Sequence, residues 1–222
     1  MSHIRVLVTA IAALSLTGCN NSSTDDTTAF QTSASQLKPA VCIVPVIDST
    51  KSQLDWNLSD ELSSAIFDQL TYSNAFSLTN PSKARSITKK LSDQHNPFGT
   101  ETKWVKQAFS GEDFVVFLEL TEHEEVLRQE RRKLSDPENC SADLNISMRI
   151  RVFDLRGEEP KVVLQELLHD SHFVPRPFTT VNFYQPSWEE ENFSISPMGL
   201  AHNQFTKEIA SRLKDYILLA RE

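Results

Sequence analysis

The 222-residue chain predicts one domain, with room for a second, and its 39% hydrophobic and 23% charged residues are slightly polar but ample for one core. Its five glycines argue against a glycine-rich phosphate loop or a glycine-punctuated β-sandwich. The formal charge of −8 disfavours nucleic acid and anionic lipid surfaces as partners.

The chain opens with His3 and Arg5, then an apolar run from Val6 to Leu16. That run is too short and wrongly flanked for a spanning helix and has the proportions of a signal segment. It ends Leu16-Thr17-Gly18-Cys19 rather than in small residues of A-x-A type. This ending resembles the bacterial lipoprotein signal, which implies cleavage before Cys19 and lipidation of that cysteine. A single acyl chain holds a protein only marginally, whereas two or more anchor it stably. Asn20, not Asp, follows the cysteine, which under the enteric sorting rule favours the outer membrane. The reading is therefore a signal peptide over 1–18, a lipidated cysteine and flexible tether over 19–40, and one globular periplasmic domain over 41–222. The stretch Asn20–Gln36 has no helical or strand period and little apolar content to offset ordering entropy. Its typical reach is roughly 20–25 Å.

Val41–Val46 reads as a buried strand with Pro45 near its end, followed by a polar loop over Asp48–Trp56. Leu58, Leu62, Ala65, Ile66 and Leu70 have amphipathic helical spacing, with Asn57 or Ser59 as cap and Asp60 and Glu61 at the positive end. Phe76–Thr79 is a short strand. Asn80-Pro81 opens a helix carrying Ala84, Ile87 and Leu91, Gln94–Gly99 breaks the pattern, and Lys103–Phe109 is a further short helix. Phe114–Leu120 is apolar on both faces, as a central strand should be. The charge-rich Glu122–Glu138 forms the solvated outer end of a long hairpin. From Ala142 to Val152 apolar residues alternate strictly with Asp143, Asn145, Ser147, Arg149 and Arg151, a strand with one buried face. After a turn at Gly157, Val162–His169 returns. Pro175–Pro197 is a long aromatic loop. Ser196 caps the last helix, whose stripe runs from Met198 to Ala220. The fold class is α/β (α+β): a mixed sheet with a parallel β-α-β-α-β start, an antiparallel hairpin, helices packed on the sheet and a C-terminal helix.

Three stretches carry a family resemblance. They are Leu58 to Arg85 with its Phe76-Ser77-Leu78-Thr79, then Gly111 to Leu120 with its Asp113-Phe114-Val115-Val116, then Met148-Arg149-Ile150-Arg151-Val152-Phe153-Asp154 ending at Gly157. Together they resemble a periplasmic fold shared by penicillin-binding-protein activator lipoproteins, the curli-secretion channel lipoprotein and the N-terminal domain of TolB. The match spans about Val41–Gly157. The long hairpins that the curli-type channel inserts into the membrane have no counterpart in this sequence. The aromatic loop and the Ala201-His202 helix start resemble uncharacterised lipoproteins of chlamydia-like bacteria. The resemblance implies a non-enzymatic, membrane-anchored module that binds another envelope protein, in cell-wall synthase activation or envelope assembly. The alternatives are an oligomeric outer-membrane secretion component and, less well supported, an envelope hydrolase.

Cys42 and Cys140 are a possible disulfide in an oxidising compartment, or two separate small buried residues. Phe178, Phe183, Tyr184, Trp188 and Glu189 are the possible partner contact, since aromatics beside charges on a loop suit an interface; the alternative is a satellite core folded back on the sheet. Ser86 and Lys89 fit a Ser-x-x-Lys spacing without the companion motifs of that chemistry. His169 and His172 are three apart and so point to opposite faces of a strand, which disfavours a shared metal. His202 reads as a packing or hydrogen-bonding residue. No catalytic residue, metal or cofactor is expected, and the partners are the membrane through Cys19 and an envelope protein.

Overall fold

The computed structural model describes residues 38–222 apart from 53, 92–93, 129–140 and 175–186. The expected signal peptide, Cys19, most of the expected tether, Cys140, Phe178, Phe183, Tyr184 and most of the charge-rich stretch expected to end the hairpin lie outside the described residues.

Six strands form one mixed sheet: β1 (Ala40–Ile43), β2 (Ile47–Asp48), β3 (Ser77–Leu78), β4 (Phe114–Leu127), β5 (Ala142–Asp154) and β6 (Lys161–Val174). The order across the sheet is β3-β1-β4-β5-β6, with β2 also pairing β4. β1, β2 and β3 are parallel to their neighbours, and β4, β5 and β6 run antiparallel. The helices are α1 (Leu58–Ser73), α2 (Pro81–Leu91), α3 (Lys103–Ala108) and α4 (Pro197–Arg221), with a short 3₁₀ turn at Phe193–Ile195. The chain moves from β1 to β3 in one direction and from β3 back past β1 to β4 in the other. One crossover hand then demands opposite faces for the connecting helices. That is observed: Leu62, Ile66 and Leu70 of α1 join the larger core, whereas Ala84 of α2 and Trp104 and Val105 of α3 join the smaller one.

The expected Val41–Val46 strand is two strands with a break at Pro45. Ile43 pairs Val116, but Ile47 pairs Glu119, so the edge gains one residue against β4. Proline has no N–H for the ladder. The groups freed there turn to α1: Val46 N–H donates to Ser63 Oγ at 2.8 Å, and Ser59 Oγ donates to the Val46 carbonyl. The break thereby docks α1 on the sheet.

β4 and β6 extend well past the expected Leu120 and His169, to Leu127 and Val174. A bulge between Leu120 and Glu122 changes which face follows. Before it Leu118 and Leu120 face the larger core; after it Glu122 pairs Ser147 on the opposite face and His123 pairs Ile146 on the core face. On the outer face, Arg151 Nη1 donates to the carbonyls of Pro97 and Gly99 at 2.9 and 2.7 Å. The guanidinium of Arg149 lies 4.4 Å over the Phe98 ring and its Nε donates to Glu119 at 2.8 Å. These arginines pin the irregular 94–99 segment to the sheet.

α4 runs beside α1 over the larger core, with Phe205, Ile209, Leu213 and Ile217 fully buried. Each such side chain contributes roughly 1.5–3 kcal/mol. Ser196 Oγ caps the helix by accepting from Gly199 N–H at 3.0 Å, and Pro197 occupies the first turn. Gly199 permits this entry, because a Cβ there would lie 1.9 Å from the Phe193 carbonyl oxygen. Gly199→Ala is therefore expected to destabilise the domain by about 1–3 kcal/mol in urea unfolding, since backbone must yield. Gly157→Ala is the control, its Cβ meeting Glu159 at an ordinary 3.6 Å.

Candidate functional site

The helix-covered side holds a continuous buried polar chain. Glu61 comes from α1, His202 from the second turn of α4, His123 from β4 just past the bulge, and Ser52 and Trp56 from the loop before α1. Glu61, His202 and His123 are 4%, 2% and 9% exposed. His202 Nδ1 lies 2.5 Å from Glu61 Oε1, and its Nε2 lies 2.9 Å from Nε2 of His123. His123 Nδ1 lies 3.2 Å from Ser52 Oγ, and Trp56 Nε1–H donates to Glu61 Oε2 at 2.7 Å.

The partners assign the protons. An ionised Glu61 only accepts, so His202 donates from Nδ1. One proton bridges the two facing Nε2 atoms of His202 and His123, and His123 Nδ1 completes the chain with the Ser52 hydroxyl. Burial, and secondly the neighbouring His202, push His123 down to about 4, against a weaker upward pull from Asp48 on β2. Two imidazoliums cannot face each other nitrogen to nitrogen at 2.9 Å.

Aromatic rings bracket the chain. Phe193 stands 5.6 Å edge-on from Trp56 and 5.9 Å from His202, and the two histidine rings meet edge-on at 5.1 Å. Above Glu61 and His202, between α1 and α4, a groove of about 390 Å³ opens to solvent. Its walls include Asp68, Tyr72, Trp188, Phe193 and Asn203, and Gln69 bridges to Asn203 at 3.4 Å. Trp188 also borders a second groove of about 360 Å³ with Phe67, Asp60 and Arg85.

Of the residues singled out from sequence, Trp188 is half-buried on this groove, and Glu189 is exposed beside it. Phe178, Phe183 and Tyr184 fall outside the described residues. Ser86 and Lys89 are exposed on α2, which covers the opposite sheet face, and Ser86 Oγ donates to the Lys83 carbonyl at 2.8 Å. His169 and His172 register with Ser147 and Leu144 on opposite faces of the sheet. His169 approaches Ser147 Oγ at 2.8 Å. Cys42 is a free thiol, fully buried in the smaller core, pushed up to about 12 by burial and by Glu112; its possible partner Cys140 lies outside the described residues. Among the described residues, no three His, Cys, Asp or Glu side chains converge as metal ligands.

Glu61, His123, Ser52 and Trp56 were missed from sequence. Glu61 carried a signal, since an acid three residues after Leu58 and one before Leu62 sits within the apolar stripe of its own helix.

Residues 26–221 match the Family of unknown function (DUF7499). The chain belongs to the DUF7499 family. No curated protein matches this family member in sequence. Its fold is that of the hypothetical protein CT253 from Chlamydia trachomatis, at 24% identity and TM-score 0.62 over 81% of this chain and 98% of that one. Lipoprotein GNA1162 from Neisseria meningitidis is similar at 13% identity and TM-score 0.39, over 61% and 82% of the two chains. The LpoB C-terminal domain from Salmonella enterica is similar at 9% identity and TM-score 0.37, over 65% and 90%.

Two outcomes test the buried groups. Between pH 6.5 and 4 the unfolded chain holds a His123 proton that the folded chain refuses, so stability is full above pH 6.5 and falls as the pH drops through that window, by at most roughly 3 kcal/mol. Urea unfolding at stepped pH should show this slope and His123→Gln should flatten it, whereas Glu61→Ala should cost about 3 kcal/mol at pH 7 by orphaning two buried donors. The Cys42 thiol should resist maleimide in the folded protein and react on denaturation without added reductant; reaction in the folded state at neutral pH contradicts its burial.

Proposed function

We propose that this DUF7499 protein is a lipid-anchored envelope module, held by Cys19 at a bacterial membrane, that binds another envelope protein and performs no chemistry. The observation that carries the binding role is the aromatic groove between α1 and α4, where Tyr72 stands 87% exposed beside Trp188. A tyrosine and a tryptophan lining one groove combine apolar rings with polar tips, the residue types enriched at interface hot spots. The buried chain argues in the same direction. Ser52, His123, His202 and Glu61 have the order of a proton relay, but a base held near pH 4 takes up a serine proton poorly at neutral pH. The chain therefore serves as a clasp between α1, α4 and β4.

The anchor rests on Leu16-Thr17-Gly18-Cys19 and the polar stretch behind it. No described helix is long and apolar enough to cross a membrane. The outer membrane, facing the periplasm, is the location favoured by Asn20. A role in cell-wall synthase activation or envelope assembly follows from the family resemblance. A second reading, an oligomeric outer-membrane assembly component, is favoured by β6, which among the described residues pairs β5 alone and exposes Leu167 and Phe173 at 61% and 53%.

Cross-linked capture of the full-length protein from its own envelopes, followed by mass spectrometry, should recover one specific partner and diacyl or triacyl Cys19. Cys19→Ser should release the protein from the membrane fraction, and Trp188→Ala should reduce partner recovery several-fold. A lipidated protein that captures nothing specific removes the binding role. A stable monomer in detergent removes the oligomeric one.

A further inference from the structure

We infer that the groove between α1 and α4 receives a cationic side chain, best an arginine, from the protein partner; this rests on the protein-binding role proposed above and specifies its chemistry. The groove is walled by Tyr72, Trp188 and Phe193 and edged by Asp68, with Glu61 and His202 at its floor and no lysine or arginine among its lining residues. A guanidinium is attracted to aromatic faces and forms directed bonds to carboxylates, a combination that a neutral or anionic group cannot use.

Charge complementarity selects the occupant. Glu61 is satisfied inside the fold, by Trp56 Nε1–H at 2.7 Å and His202 Nδ1 at 2.5 Å, so the acid left for an incoming group is Asp68. The same helix supplies an internal comparison. Asp60, in the neighbouring groove that shares Trp188, is matched by the chain's own Arg85 at 2.6 Å. Asp68, two turns further along α1, has no cation paired with it among the described residues. Among the described residues, one groove is thus neutralised from within and the other is not. The volume of about 390 Å³ accommodates one such side chain with part of its backbone, not a folded domain.

The test uses the full chain in detergent, labelled with 5-fluorotryptophan, and a short blocked peptide, Gly-Arg-Gly, against the same peptide with citrulline, the neutral isostere of arginine. The chain has three tryptophans. Trp188 lines the groove, Trp56 lies behind it against Phe193, and Trp104 sits in the smaller core on the other sheet face as an internal control. The Trp188 resonance should shift saturably with the arginine peptide while Trp104 stays still, and citrulline should bind at least about fivefold more weakly. Asp68→Asn and Tyr72→Ala, both at exposed positions that leave the core intact, should each weaken the arginine peptide by about three- to fivefold. Equal affinity for citrulline, no shift at Trp188, or unchanged affinity in Asp68→Asn overturns the inference. The two failures are separable: a partner still captured by Asp68→Asn and Tyr72→Ala at wild-type yield leaves the protein-binding role standing and sinks the cationic groove.

Discussion

The bond between His202 and Glu61 joins the two long helices to each other, and through His123 it joins both to the sheet. The serines of α1 add directional bonds to Val46 at the sheet edge. Leucine, isoleucine and valine side chains reward burial without fixing register, whereas a buried carboxylate must find donors at defined angles or incur a penalty comparable to a large core truncation. The chain from Trp56 to Ser52 therefore sets the rotation of α1 and the depth of α4. The apolar contacts then fill the space that it defines.

The groove follows from that clasp. Glu61 and His202 join α1 to α4, and the groove they line also takes in Tyr72, Asp68 and Asn203. The 3₁₀ turn at Phe193–Ile195 closes one side, and Gly199 lets it approach the first turn of α4. A closed polar core and an open aromatic surface thus share residues. The core residue Glu61 also lines the groove, and the loop residue Trp188 serves both grooves.

Fold similarity to CT253 covers nearly all of that protein, so the arrangement of sheet and helices is common to both chains. What the fold is used for must come from its sites. Here the relevant groups lie on the helix layer, away from the polar outer face of the hairpin. There Arg149 and Arg151 are occupied with the carbonyls and rings of the 94–99 segment and with Glu119.

Local pattern by itself determined the elements with long periods. The alternation from Ala142 to Val152, the stripe on α4 and its Ser196-Pro197 start depend on neighbours a few residues away, so the sequence carries them. The apolar-on-both-faces run at Phe114 likewise marked the sheet centre. The tertiary structure decided the rest. Pro45 splits a single apolar run because Ser59 and Ser63 of α1 stand ready for the freed groups. The bulge after Leu120 reverses the facing of all that follows, which carries His123 inward from a stretch that reads as solvated charge. Glu61 reads as a helix-terminus acid until α4 brings His202 against it, 141 residues later in the chain. Backbone periodicity is a local property, whereas the pairing of buried polar groups is a property of the packed whole. The site is therefore where sequence and structure part.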